Sequence, residues 1–232
     1  MRILIVSQYF WPESFIINQI AETLDAQGHQ LVVLTGKPNY PKGEIYNGYK
    51  QKGILHEKLN NVEIIRVPLR PRKSGNAKNL VLNYLSFIWS GLLHFPPLVK
   101  NKQFDVILVF ALSPITSAIP AIFLKYLKRT HLAIWIQDLW PDSIAATGFI
   151  KNKLMLKVLG YLVRVIYSLS DTLLVQSKAF IGPVNAMSSH KKVMYFPNIM
   201  TDMKKSRDEV NNLLPAYLCD YLDNYFCFVF AG

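Results

Sequence analysis

Short runs of β-branched and leucine residues recur along this chain with helix-periodic stretches between them, and that alternation limits the fold more than any other feature. Ile3 to Val6 is continuously apolar, as a strand buried on both faces requires. Ile16, Ile17, Ile20 and Leu24 then recur at helical spacing, and Gly28 is placed to stop that helix. Further strands are predicted at Leu31 to Leu34, Val62 to Val67, Phe104 to Phe110, His131 to Gln137, Thr172 to Val175 and Val193 to Phe196. Helices are predicted from about Lys78 to Lys100, from Ser113 to Lys128 and from about Lys153 to Ser168. In the second of these, Ser113 should cap, Pro114 should take the first helical position, and Pro120 should kink or delay the helix. Repeated strand, helix, strand units imply an α/β fold, a doubly wound parallel sheet covered on both faces.

Composition removes several classes. Apolar residues make up 51% and charged residues 18%, so the chain is not disordered. The two cysteines, Cys219 and Cys227, lack the spacing of a zinc site and are too few for a disulfide scaffold. Mean hydropathy is high at +0.18. Yet the two uncharged stretches of membrane width, Leu80 to Val99 and Val106 to Leu124, are interrupted by Asn83, Gly91, Pro96-Pro97, Ser113-Pro114 and Pro120. The N-terminal apolar run is too short for a signal peptide. With 26 Lys and Arg against 15 Asp and Glu, the net charge of +11 calls for an anionic partner or surface.

In an open parallel sheet, ligands bind beyond the carboxyl ends of the strands. The loops to inspect are therefore Ser7 to Phe15, Gly36 to Gly43, Ala111 to Thr116, Gln137 to Ser143 and Gln176 to Lys178. The first carries Ser-Gln-Tyr-Phe-Trp-Pro-Glu and no G-x-G-x-x-G, so a dinucleotide cradle is excluded there, as is a P-loop. Asp138 ends an apolar strand, where a carboxylate can orient a sugar hydroxyl or stabilise developing positive charge; capping the next turn is the alternative. Glu13 faces a similar choice between a ligand and the positive end of the first helix.

Ten Lys or Arg lie between Lys37 and Lys78, densest at Arg70-Pro71-Arg72-Lys73, just ahead of the aromatic helix holding Trp89. This pattern suits an in-plane anchor on an anionic membrane surface. It equally suits a buried helix with a solvated basic loop. Nucleic acid is disfavoured, because the aromatics sit in leucine-rich runs and do not alternate with the cations. A non-enzymatic membrane-surface module with an α/β scaffold remains an alternative to an enzyme. After Pro197-Asn198 the chain turns polar. We expect residues 1–200 to form one α/β domain, 201–225 a connection, and 226–232 the first strand of a second domain, or else a last strand of the first sheet.

Met1-Arg-Ile-Leu-Ile-Val-Ser-Gln-Tyr-Phe-Trp-Pro-Glu, Leu34-Thr35-Gly36, Pro38-Asn39-Tyr40-Pro41-Lys42-Gly43, Asp138-Leu139-Trp140-Pro141-Asp142 and Phe196-Pro197-Asn198, in this order, resemble the N-terminal half of bacterial GT-B glycosyltransferases of family 4. Within that family the chain is most similar to the L-fucosamine transferases of O-antigen gene clusters. The resemblance implies two Rossmann-like domains, the N-terminal one holding the acceptor and the other a nucleotide sugar, with sugar transfer that retains configuration and needs neither metal nor cofactor. It implies a UDP-sugar donor, a polyprenyl-diphosphate-linked sugar acceptor, a place on the cytoplasmic face of the inner membrane, and no turnover by residues 1–232 alone. Carried to this sequence, Asp138 and Gln137 contact the reacting sugars. Glu13, Ser14, Lys37, Asn39, Lys42 and Ser113 serve the acceptor, and Arg70, Arg72, Lys73 and Trp89 meet phosphate or membrane. Gln137 stands where many relatives have histidine, and Pro12-Glu13-Ser14-Phe15 where many have paired glycines.

Overall fold

The computed structural model describes residues 1–146, 148, 150, 152–188 and 192–198. The expected connection and final strand at 201–232, with both cysteines, lie outside the described residues. Eight strands form one sheet: β1 (Arg2–Ser7), β2 (Gln30–Gly36), β3 (Leu55–Leu59), β4 (Val62–Val67), β5 (Val106–Ala111), β6 (His131–Ile136), β7 (Thr172–Val175) and β8 (Lys192–Tyr195), in the order β3-β4-β2-β1-β5-β6-β7-β8. Every pairing is parallel except that of edge strand β3 with β4. The helices are α1 (Ile16–Ala26), α2 (Ala77–Leu98), α3 (Ile119–Lys128), α4 (Asp142–Ala146), α5 (Lys153–Leu169) and α6 (Ile181–Met187). This is the doubly wound α/β sheet that the alternation requires.

The layers are unequal. Helix α1 packs Ile17 and Ala21 against Ile3, Ile5, Leu31, Val33, Val62 and Ile64 on one face. The other face carries Leu4, Val6, Leu34, Ile65, Val67, Ile107, Val109, Leu132 and Ile134 under α2, α3, α5 and α6. Alternate residues of each strand supply the two cores, which is why the strands read as unbroken apolar runs. Helix α1 ends as expected, with Gly28 at φ +81°. Asn76 caps α2 by accepting from the Asn79 amide at 3.0 Å. At Gly91, a β-carbon would lie 2.7 Å from Pro120 Cγ, so only glycine lets α2 pack this closely on the start of α3.

Three expectations need correction. Pro114 is extended (φ −92°, ψ 154°) and does not enter a helix; a short 3₁₀ turn spans Ile115–Ala118, and α3 begins only at Ile119. Pro120 thus sits in the first turn of α3, where its missing N–H costs nothing. Ser113 caps no helix. The buried-helix reading of the segment around Trp89 also fails at that residue. Helix α2 buries Asn83, Phe87, Ser90, Gly91 and Phe95 and leaves Trp89 72% exposed. Among the described residues, no helix is long and apolar enough to cross a membrane.

Candidate functional site

The loop after β1 turns toward β2 while the chain after β5 turns toward β6, so the topological switch point lies between β1 and β5 at their carboxyl ends. The residues gathered there divide into two banks.

The first bank joins the loops after β1, β2 and β4. Tyr9, Phe15 and Tyr40 form an aromatic trio with ring centroids 5.3 to 5.9 Å apart. The Arg72 guanidinium lies over Tyr40 at 5.0 Å and Tyr9 at 5.9 Å. Its backbone is fixed by Asn39, whose Oδ1 accepts the Arg72 amide at 3.1 Å. Asn39 is buried and also donates to the Lys37 carbonyl at 3.0 Å. Glu13 holds the trio's loops together. Its Oε1 accepts the Asn39 and Tyr40 amides, each at 2.8 Å, and its Oε2 accepts the Phe10 amide at 3.2 Å. Burial pushes the Glu13 carboxyl up to about 7, against the pull of those three donors and of Arg66. Glu13 stands three residues ahead of α1, which starts at Ile16, and both its oxygens are taken by loop amides and not by amides of that helix.

Lys42 and Lys73 line one pocket with Glu44, Gln51 and Ser74, uniting two sequence candidates from different groups. The Lys73 amide donates to the Gly43 carbonyl at 2.7 Å, and a β-carbon at Gly43 (φ +78°) would meet the Lys73 carbonyl at 1.9 Å. Close backbone approach therefore demands glycine. Ser14 is exposed in the loop ahead of α1. Lys37 and Arg66 lie buried on the α1 side of the sheet. Arg66 pairs with Glu57, donates to the carbonyls of Gly36 and Trp11, and covers the Tyr49 ring at 5.2 Å. Burial first, and the Arg66 cation next, hold the Lys37 ammonium below the usual lysine range, with Glu57 opposing.

The second bank lies after β5, β6 and β7. Asp138 is half-buried, and among the described residues its carboxylate accepts no hydrogen bond; the helices whose caps are side chains use Asn76, Asn152 and Ser177, so the capping alternative is not realised. Its charge raises the Tyr84 and Tyr167 hydroxyls, after burial, which does so most. Arg72 pulls Tyr84 the other way, so Tyr84 senses both banks. The Gln137 backbone N–H donates to the Ala111 carbonyl at 3.0 Å and its backbone carbonyl accepts from Gln176 Nε2 at 2.6 Å, while its side-chain Nε2 is buried and without a partner. Asn198 in turn donates to Gln176 Oε1 at 2.6 Å, which is the structural use of the Phe196-Pro197-Asn198 motif. Ser113 Oγ accepts from Trp140 Nε1 at 3.3 Å.

Sequence reasoning missed the floor between the banks. Gln8, the residue after β1, donates to Asn83 Oδ1 at 2.6 Å and to the Tyr9 hydroxyl at 3.2 Å, and Asn83 donates to the Arg70 carbonyl. Gln8 Oε1 and Arg70 Nε are buried and unpartnered. The available signal was Asn83, a polar residue at a helix position whose neighbours one and two turns on, Phe87 and Ser90, are buried.

No family model matches the chain, and no curated protein matches it. Among solved structures, one of sucrose-phosphate synthase from Thermosynechococcus elongatus superposes with a TM-score of 0.57 at 13% identity, over 96% of this chain and 99% of that one. A structure of apo OtsA gives 0.55 at 12% identity, over 97% of this chain and 55% of that one, so the chain spans about half the OtsA length. Identities this low speak for architecture alone: the fold is that of a Rossmann-like domain of the GT-B class.

Proposed function

We propose that this chain is the acceptor-binding domain of a glycosyltransferase that moves a sugar from a UDP-sugar to a polyprenyl-diphosphate-linked sugar, with a second domain holding most of the donor. The observation that carries the reading is the pairing, on the two sides of one switch point, of a cationic aromatic bank with an unpartnered carboxylate, both of which act on Tyr84. Arg72, with Lys42 and Lys73 beside it, suits a diphosphate, since stacked and clustered cations hold phosphate without ordering a metal. Tyr40 and Phe15, backed by the buried Tyr9, suit the apolar face of a sugar ring or the first prenyl unit. Asp138 and Gln137 face the reacting sugars, where an unpaired carboxylate stabilises the positive charge that develops at the anomeric carbon. Arg70, Glu13, Asn39 and Ser113 position these groups. Exposed Ser14 belongs to the acceptor side, while buried Lys37 supports the loop after β2 from beneath.

The resemblance to O-antigen enzymes makes N-acetyl-L-fucosamine the first donor sugar to test, with retention of configuration and no metal. The lipid-linked acceptor puts the domain at the cytoplasmic face of the inner membrane. A donor screen decides the reading: the complete gene product is incubated with UDP-sugars and prenyl-diphosphate-linked GlcNAc, with product mass and anomeric coupling read out. Transfer that survives chelation and retains configuration supports it. No transfer from any UDP-sugar, with acceptor binding intact, contradicts it.

A further inference from the structure

The outer faces of α2, α3 and α5 do not look like the outside of a soluble α/β layer. On α2, Val81, Leu85, Trp89 and Leu93 recur every fourth residue, and all are more than half exposed. On α3, which packs beside α2, Phe123 and Tyr126 are 48% and 58% exposed. On α5, which packs beside α3, Leu154 and Tyr161 are 70% and 71% exposed. A helix covering a sheet normally turns polar residues outward. Single exposed apolar residues need no explanation, but a row of them across three adjacent helices marks an interaction surface.

The charge pattern identifies what covers it. None of the 15 acidic residues of the chain lies in 64–104, 106–137 or 143–170, the stretches that hold these helices. Exposed Lys78, Lys153, Lys157 and Arg164 supply only positive charge. A second copy of this face would meet it with like charge. An anionic bilayer meets it with opposite charge, receives the aromatic rings at the headgroup level, and lets lysine stems reach past them.

We infer that the α2–α3–α5 layer lies in the plane of an anionic membrane. The surface keeps the aromatic helix holding Trp89 that the sequence suggested and replaces its basic loop with Lys78 and the cations of α5. Arg72 is stacked over tyrosines and Arg70 has a buried Nε, so their charges belong to the cleft. All three helices begin at the carboxyl edge of the sheet, so a layer laid on the bilayer brings the mouth of the cleft to the headgroups. The inference deepens the membrane association proposed above and rests on the lipid-linked acceptor for that orientation alone.

The test is pelleting of the 232-residue chain with vesicles of phosphatidylglycerol and phosphatidylcholine, against phosphatidylcholine alone. The pairs Phe123→Ser with Tyr126→Ser, and Leu154→Ser with Tyr161→Ser, touch neither bank of the cleft and should each lower binding to the anionic vesicles about tenfold. Lys157→Glu with Arg164→Glu should weaken binding in the same vesicles, and thermal melts should be unchanged throughout. Vesicle binding lost with Arg70→Ser and Arg72→Ser but kept in the helix variants would overturn the inference. So would absent vesicle binding together with a dimer, seen by light scattering, that the helix variants dissolve. No sugar or nucleotide enters this assay, so its failure leaves the donor screen standing, and failure of the donor screen leaves the vesicle result standing.

Discussion

Removing the Glu13 carboxylate should loosen the loops of the cationic bank by an amount that the hydrogen bonds set. Glu13→Ala strands the Phe10 and Asn39 amides in a buried setting, while the Tyr40 amide, on a residue 37% exposed, can turn to water. At about 1 to 3 kcal/mol for each buried orphan, the loss is roughly 2 to 6 kcal/mol, a large share of a typical domain's stability. Glu13→Gln is gentler. Its carbonyl can serve Asn39 and Tyr40, and only the Phe10 amide then faces another donor, for about 1 to 3 kcal/mol. The pH dependence separates this role from a solvated carboxylate. Burial raises the folded-state value from 4.5 to about 7, so between these limits the folded chain holds a proton that the unfolded chain has released. That contribution is fully present below 4.5 and is lost as pH rises through 7. It amounts to about 3 kcal/mol at most. Urea unfolding followed by tryptophan fluorescence across this window should show stability falling with pH in the parent and flattening in Glu13→Gln. Parallel slopes in the two proteins would refute the clamp.

Asp138→Asn in the complete enzyme should lower kcat by about a hundredfold or more with an unchanged melting temperature, because its carboxylate supports no described hydrogen bond; normal turnover would remove it from the reaction. Arg72→Lys keeps the charge but loses the flat stack on Tyr40 and Tyr9, so the acceptor KM should rise several-fold while kcat stays near its parent value. Gly91→Val forces a β-carbon into Pro120 and should destabilise the fold by about 1 to 3 kcal/mol in chemical denaturation.

The buried strands were legible because both their faces meet helices or a second core, which forces continuous apolar runs. Strand β3 was not, since Leu55-His-Glu-Lys-Leu59 sits at an edge where only one side needs covering and polar residues intrude. Helices α4 and α6 are too short for periodicity to register. The start of α3 was misplaced because a Ser-Pro pair looks the same whether it opens a helix or, as here, precedes a 3₁₀ turn. On α2 hydropathy misleads outright. Close packing on Pro120 selects the small face of Ser90 and Gly91 for burial, Asn83 goes inward to meet Gln8, and Trp89 goes out. The site shows the same limit. Each loop could be named from the rule about carboxyl ends, but joining Lys42 to Lys73, or Asn39 to Arg72, depends on backbone approaches that no local pattern encodes.

Acceptor binding tests the central claim most directly. Titration of the chain with a short-chain prenyl-diphosphate-linked GlcNAc, read by calorimetry, should show saturable binding that weakens at least several-fold in Arg72→Ala and again when Lys73→Ala is added, and that free GlcNAc does not compete away. Absence of saturable binding, or binding indifferent to both substitutions, would contradict the assignment of this cleft to a diphosphate-linked sugar.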